Sequence, residues 1–226
     1  MTDTTTDHGS AQTGRSTDPL DPLVTIAPIT PITPITFKPL IAVTPACAEQ
    51  AGAAEARLQE ALAEATEPSG TSGAFRFGPV QAAAKELPGA SIVRIIPGFA
   101  LQEQAPTHVM VLTLKQAVRQ ALSLPLGDEA FWERVEETLT GAFIGLGDQL
   151  DAPHLVLHET DEGTRYDYHL LFVLEDEETE GFMYVVAFCV HVTVGLDREQ
   201  VFGLSVTDPA PFTLGLDALC VRRPMA

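Results

Sequence analysis

Residues 166–208 decide the fold. They read Tyr166-Asp-Tyr-His-Leu-Leu-Phe-Val-Leu174, the acidic turn Glu175-Asp-Glu-Glu-Thr-Glu180, and Gly181-Phe-Met-Tyr-Val-Val-Ala-Phe-Cys-Val-His-Val-Thr-Val194. After a short turn comes Arg198-Glu-Gln-Val-Phe-Gly-Leu-Ser-Val-Thr-Asp208. β-Branched and aromatic runs separated by charged or Gly-containing turns predict three consecutive strands joined by two hairpin turns. In Phe182–Val194 one face carries Phe182, Tyr184, Val186, Phe188, Val190, Val192 and Val194. The other carries Met183, Val185, Ala187, Cys189, His191 and Thr193. A strand apolar on both faces needs cover on both.

Outward from this stretch, His154–Glu159, Arg165–Leu174, Phe182–Val194, Gln200–Thr207 and Phe212–Val221 read as strands. Their short connections imply mostly antiparallel neighbours. The covers must come from upstream. Ala46–Ala65 is rich in helix formers and is closed by Pro68, Gly70 and Gly73. Pro79–Leu87 is a second helix, with Pro88-Gly89 at its end. Ile92–Ile96 reads as a strand, and Val109–Leu112 fits either a strand or the start of the next helix. Lys115–Leu124 and Asp128–Ile144 form a helical pair broken by Pro125 and Gly127, with Asp128 as N-cap. Trp132, Val135, Leu139, Phe143 and Leu146 recur at helical spacing and read as core. The expectation is an α/β single-domain three-layer helix–sheet–helix sandwich over residues 37–226, with a mostly antiparallel sheet flanked by helical hairpins.

Residues 1–36 stand apart. The first 24 are polar and read as a disordered tail. Then Pro28-Ile-Thr30, Pro31-Ile-Thr33 and Pro34-Ile-Thr36 repeat. Proline at every third position removes amide donors and fixes φ, so an extended, polyproline-like arm is expected. It reads either as a stiff linker or as a pro-segment that covers a surface or reaches a second subunit.

The formal net charge of −18 in 226 residues argues against a nucleic-acid partner, which needs a Lys/Arg surplus. It also opposes long-range attraction to anionic membranes, so lipid binding must rest on apolar contact. Three cysteines, Cys47, Cys189 and Cys220, imply no disulfide framework, and buried free thiols are expected. The Thr/Asp-rich N-terminus has no basic or apolar segment of a secretory signal, and no apolar run suits a membrane-crossing helix. A protein made soluble in the cytoplasm of the producing cell, and released by lysis or an exporter, is expected.

The search for chemistry is short. His154 and His158 lie in a strand-like context, where positions i and i+4 are ~13 Å apart, too far for one metal. His169 and His191 read as sheet histidines and potential cross-strand neighbours. The turn at Glu175–Glu180 lacks the ligand spacing of a calcium loop and reads as an exposed hairpin turn. No nucleophile elbow, P-loop, dinucleotide fingerprint or CxxC occurs. No catalytic residue, metal or cofactor is expected, and an enzyme is the last reading.

Several motifs, in order, resemble one family. Tyr166-x-Tyr168-x-Leu170-Leu171-Phe172, Gly181-x-Met183-Tyr184, Glu199-Gln200-Val201 with Asp208, and Ala74-x-Arg76-Phe77 are similar to motifs of the Cyt-type cytolytic delta-endotoxins. The match runs from about Ala74 to Val221. The resemblance implies helical hairpins flanking a sheet and a soluble protoxin trimmed at its ends. It implies direct phospholipid binding, with a homo-oligomer on the membrane that forms pores or disrupts the bilayer like a detergent, and a dimer in solution is compatible with it. Two features depart from the family: the Pro-Ile-Thr arm, and a turn far more acidic than the family's. Between Glu159 and Glu180 nine acids stand against Arg165.

On this reading the membrane-interacting strand residues are Tyr168, Leu170, Phe172, Phe182, Tyr184, Val186, Phe188, Val190, Val192, Val201 and Phe202. Glu175, Asp176, Glu177, Glu178 and Glu180 form a pH-sensitive turn. An ionised side chain at the bilayer centre costs ~2.5–3.5 kcal/mol on insertion scales, so activity should rise as pH falls. The alternative is a non-lytic binding or assembly module on the same fold, holding a small apolar ligand or a protein partner.

Overall fold

The computed structural model describes residues 36–65, 77–122, 129–160, 163–176 and 179–225. The tail, the Pro-Ile-Thr repeat up to Ile35, Asp128 and the turn residues Glu177 and Glu178 lie outside them. The described elements are β1 (Lys38–Ala42), α1 (Ala48–Ala65), α2 (Phe77–Glu86), β2 (Ser91–Pro106), α3 (Thr107–Leu122) and α4 (Glu129–Thr140). They continue with β3 (Leu155–Thr160), β4 (Gly163–Glu175), β5 (Phe182–Val194), α5 (Arg198–Phe202) and β6 (Pro209–Pro224).

One sheet runs in the order β1-β4-β5-β6-β2, with β3 also on β4. Antiparallel pairing joins β4 to β5, β5 to β6, and β6 to β2. The free edge of β4 is shared. β3 takes Gly163–Tyr168 antiparallel, and β1 takes Leu170–Leu174 parallel. The backbone groups of β4 are thereby paired on both sides along nearly its whole length.

Period-2 alternation then builds two cores. Tyr166, Tyr168, Leu170 and Phe172 of β4 join Val186, Phe188, Val190 and Val192 of β5 on one face. Met110, Val111, Leu114 and Val118 of α3 and Phe131, Trp132, Val135 and Leu139 of α4 cover them at helical spacing. On the other face Leu171, Val173, Met183, Val185, Ala187 and Cys189 pack under Ala51, Ala54, Leu58 and Leu62 of α1, Val80 and Ala84 of α2, and Leu87 just past its end. The architecture is the helix–sheet–helix sandwich expected of the sequence.

One strand expectation is corrected, one open reading is resolved and one strand is added. Gln200–Thr207 does not form a strand. Asp197 accepts from the Gln200 amide at 2.9 Å while the Gln200 side chain accepts from the Asp197 amide at 3.2 Å, a capping box that starts α5. The third long strand begins later, at Pro209. Val109–Leu112 lies inside α3, and the strand expected at Ile92–Ile96 is the first part of a 16-residue β2. β1 went unread because its Pro39 argues against a strand. As an edge strand with one partner, β1 tolerates the missing amide.

Gly163 opens β4 at φ 138°, and a Cβ there would collide with the Val194 carbonyl oxygen. Gly163→Ala should lower stability by at least about 2 kcal/mol in denaturant titration, through backbone strain and displacement of the β5 end. An unchanged midpoint would show that this turn does not hold the sheet.

Candidate functional site

The β4–β5 hairpin is the centre of the candidate site. Its register sets Leu170 opposite Phe188, Phe172 opposite Val186, Tyr168 opposite Val190 and Tyr166 opposite Val192. Tyr168, Leu170, Phe172, Val186, Phe188, Val190 and Val192 thus share one buried apolar face. Phe172 and Phe188 meet edge-on with centroids 4.7 Å apart, and Phe131 of α4 sits 6.1 Å from Phe172. Phe182 and Tyr184 are half-buried at the turn end of β5. Val201 and Phe202 are not strand residues. Val201 is buried on α5 against the same core, and Phe202 packs beside Gly147 with Arg198 over its ring at 5.1 Å.

The cover over this face is tied within itself. Lys115 Nζ of α3 donates to Glu136 Oε2 of α4 at 2.7 Å, and Arg119 lies 5.2 Å from the Trp132 ring centroid. α3 and α4 pack on the sheet mainly by apolar contact, with polar ties from Arg134 to the Ile41 carbonyl of β1 at 3.2 Å and from the Thr107 and His108 amides to the Asp208 and Val206 carbonyls.

The acidic turn is not simply an exposed one. Glu175 Oε2 accepts the Thr44 amide at 2.8 Å, and Cys47 Sγ lies 3.6 Å from Oε1. The Thr44 hydrogen bond holds the Glu175 carboxyl below its ordinary pKa. Asp176 is buried. Its Oδ2 accepts Arg222 Nε at 2.9 Å and its Oδ1 accepts the Thr179 amide at 3.2 Å. Arg222 also lies over Phe182 at 4.1 Å. Two of the five turn acids are thus anchored to neighbouring elements, while Glu180 is exposed.

On the opposite face a polar seam crosses three strands. His191 Nδ1 is 2.6 Å from Asp167 Oδ1, directly across the β4–β5 ladder, and its Nε2 is 2.9 Å from Asp217 Oδ2 of β6. Gly215 faces His191 and leaves room for the ring, because a Cβ there would come within 3.2 Å of His191 Cβ. Cys189 Sγ lies 3.4 Å from His169 Nε2. The two histidines are diagonal neighbours, since His169 stands opposite Cys189. Burial alone would lower the His191 pKa, but Asp167 and Asp217 overcome it and push it up to about 12. Burial alone would raise that of Asp167, but the His158 and His191 rings hold it well below the carboxylate range. At 3.6 Å the His158 ring is beyond hydrogen bonding and acts through its field. His154 is elsewhere, edge-on to Tyr168 at 5.0 Å, with burial lowering its pKa to about 4.

The profile of the Bacillus thuringiensis toxin family matches residues 26–226. This chain belongs to that family. Its relatives within it are Cyt-type toxins. It is 28% identical over 146 residues to the type-2Aa cytolytic delta-endotoxin of Bacillus thuringiensis subsp. kyushuensis, covering 64% of this chain and 56% of the relative. It is 27% identical over 148 residues to the type-2Ba toxin of subsp. israelensis, covering 65% and 56%. The matches thus span little more than half the length of these relatives. A solved delta-endotoxin superimposes with a TM-score of 0.72 at 25% identity, over 84% of this chain and 82% of that one. The activated Cyt2Ba monomer gives 0.69 at 24%, over 84% and 98%. These neighbours share the Cyt toxin fold.

The family's strand motifs fall on β4 and β5, and the part of Glu199-Gln200-Val201 falls on α5. The sequence placed His169 and His191 as potential cross-strand neighbours, and the structure makes them diagonal ones; the parts of Asp167, Cys189 and Asp217 in the seam were missed. The seam's signal was Asp167-x-His169 on one strand and Cys189-x-His191 on the next, which an antiparallel hairpin aligns once its register is known.

The charged pair His191–Asp167 sets a pH dependence. A raised His191 pKa supports the fold in full below 6.5 and is lost as pH climbs toward 12. A lowered Asp167 pKa supports it above 3.8 and is lost as pH falls. In buffer containing a chelator, the melting temperature should therefore decline as pH rises above 6.5. His191→Gln should flatten that decline and cost about 3 kcal/mol at pH 6, because it strands a buried carboxylate. Parallel pH profiles for the two proteins would contradict the pairing.

Proposed function

We propose that this chain is the soluble precursor of a membrane-active cytolysin that binds phospholipid directly after its ends are trimmed. The observation that carries the reading is the β4–β5 hairpin, whose apolar face is buried under α3 and α4. Both strands are 13 residues long, beyond the ~9–11 that a tilted membrane strand needs. Exposing each fully buried Val, Leu or Phe of this face to water costs roughly 1.5–3 kcal/mol. The cover can therefore leave the sheet only where another apolar phase replaces it, and a bilayer is such a phase. In lipid the strand edges must pair with other chains, so insertion requires a homo-oligomer.

The Cyt-type relatives, named as cytolytic toxins, support this reading. No helix of the described residues is long and apolar enough to cross a membrane, which leaves the strands as the candidate spans. The face beyond the cover is apolar at Val173, Met183 and Val185 and polar at Asp167, His169 and His191. A barrel wall of this hairpin would be wetted at one end only, which favours detergent-like disruption over a uniform aqueous pore. A concavity of about 200 Å³ beside α3 is smaller than the roughly 300–1,000 Å³ typical of ligand pockets, so it adds nothing to the apolar-ligand alternative. As a cytolysin precursor the protein would be held in its producing cell and released to meet target membranes.

Dye release from phosphatidylcholine liposomes tests the proposal, with intact and protease-trimmed protein from pH 7.5 to 4. Trimmed protein should release dye, increasingly toward the acid end of that range. The triple variant Glu177→Gln, Glu178→Gln, Glu180→Gln should move the onset toward neutral pH. No release by either form at any pH would sink the cytolysin reading.

A further inference from the structure

The polar seam has more order than an ion-paired cluster requires. We propose that Cys189, His191 and Asp167 form a binding site for one Zn²⁺ ion on the α1–α2 face of the sheet, with His169 beside the thiolate. Cys189 Sγ is 3.4 Å from His169 Nε2 and 3.7 Å from His191 Nδ1. Bond lengths of about 2.3 Å to sulfur and about 2.0–2.1 Å to nitrogen place those atoms roughly 3.6 Å apart around a tetrahedral zinc. The edge from Cys189 Sγ to His191 Nδ1 thus already stands at metal spacing. That from His191 Nδ1 to Asp167 Oδ1 is 2.6 Å and must open to roughly 3.4 Å when a cation replaces the proton between them. The donor atoms of Asp167, Cys189 and His191 all lie within 4.8 Å of one another.

The outer partners point the donors inward. His169 Nδ1 is 3.3 Å from the His154 carbonyl oxygen, which can only accept, so the neutral ring carries its proton there and turns the Nε2 lone pair toward Cys189. His191 Nε2 donates to Asp217 Oδ2 at 2.9 Å, which leaves Nδ1 for the ion. A histidine held by a carboxylate or carbonyl on its far nitrogen is the usual support of a ligating imidazole. The second oxygen of Asp167 is buried without a hydrogen-bond partner, as is His158 Nε2 beside it. One thiolate, one imidazole and one carboxylate, with a fourth position left to water, suit Zn²⁺ and are poor ligands for Mg²⁺ or Ca²⁺. An entry path exists, because the side chains of His191 and Asp217 are 20% and 16% exposed. The ion would staple β4 to β5 and, through Asp217, hold β6.

Cobalt substitution of the full chain tests the site. Chelator-treated protein, freed of chelator, should bind one equivalent of Co²⁺, with a thiolate-to-metal charge-transfer band and the intense visible bands of tetrahedral cobalt. Zn²⁺ should displace it and raise the melting temperature. Cys189→Ser should abolish the thiolate band, while Cys47→Ser and Cys220→Ser leave it unchanged. Asp217→Asn should keep the stoichiometry and weaken affinity about 10–100-fold. Absence of the thiolate band in the wild-type chain, which needs no variant to fold, would overturn the proposal. So would a band that survives Cys189→Ser or vanishes in Cys220→Ser.

Discussion

The register between β4 and β5 is the constraint from which the remaining structure follows. With Leu170 opposite Phe188, every aromatic of the hairpin turns toward α3 and α4. With β4 fixed, a slip of β5 by one residue would turn Val186, Phe188 and Val190 to the α1–α2 side and bring His191 under the aromatic helix face. The choice between the two registers is therefore not close. The same pairing that buries Phe172 against Phe131 also brings Asp167 to His191, so the apolar cover and the polar seam are two readouts of one alignment.

The three layers and the strands β3, β4 and β5 were legible because alternation and turn chemistry agreed over many residues. Val201-Phe202 was misread because an apolar pair after a turn looks like a strand opening. The decision lay with two polar side chains, Asp197 and Gln200, that close a capping box over a single helical turn. β1 was illegible for the opposite reason. Its five residues contain a proline, and only the position of the strand at the sheet edge makes that proline acceptable. The polar seam draws its members from three strands, and no spacing within one segment encodes it. Asp217 in particular reaches His191 only because Gly215 vacates the space opposite the ring.

The charge of the turn takes on a different character once its partners are placed. Glu175 and Asp176 are fastened to Thr44 and Arg222, so part of the negative charge is structural and ties the hairpin tip to the chain after β1 and to β6. Only acids beyond that anchor are free to act as a barrier to lipid. The tip is thus both a brace of the folded sheet and the most polar part of the hairpin proposed to enter a membrane, and these two roles oppose movement in the same direction.

The placement of β2 has a consequence in time. Ser91 pairs with Arg222, 131 positions further along the chain. β4 and β5 can zip as soon as their turn closes, whereas β2 has no ladder partner until β6 is available. A chain emerging from the ribosome therefore carries β2, with Val93 and Ile95, as an unclaimed strand until β6 has been made. In the finished sheet β2 is an edge strand, and the two β-bulges of its ladder with β6, after Ile92 and Ile96, interrupt the regular edge that another copy could join.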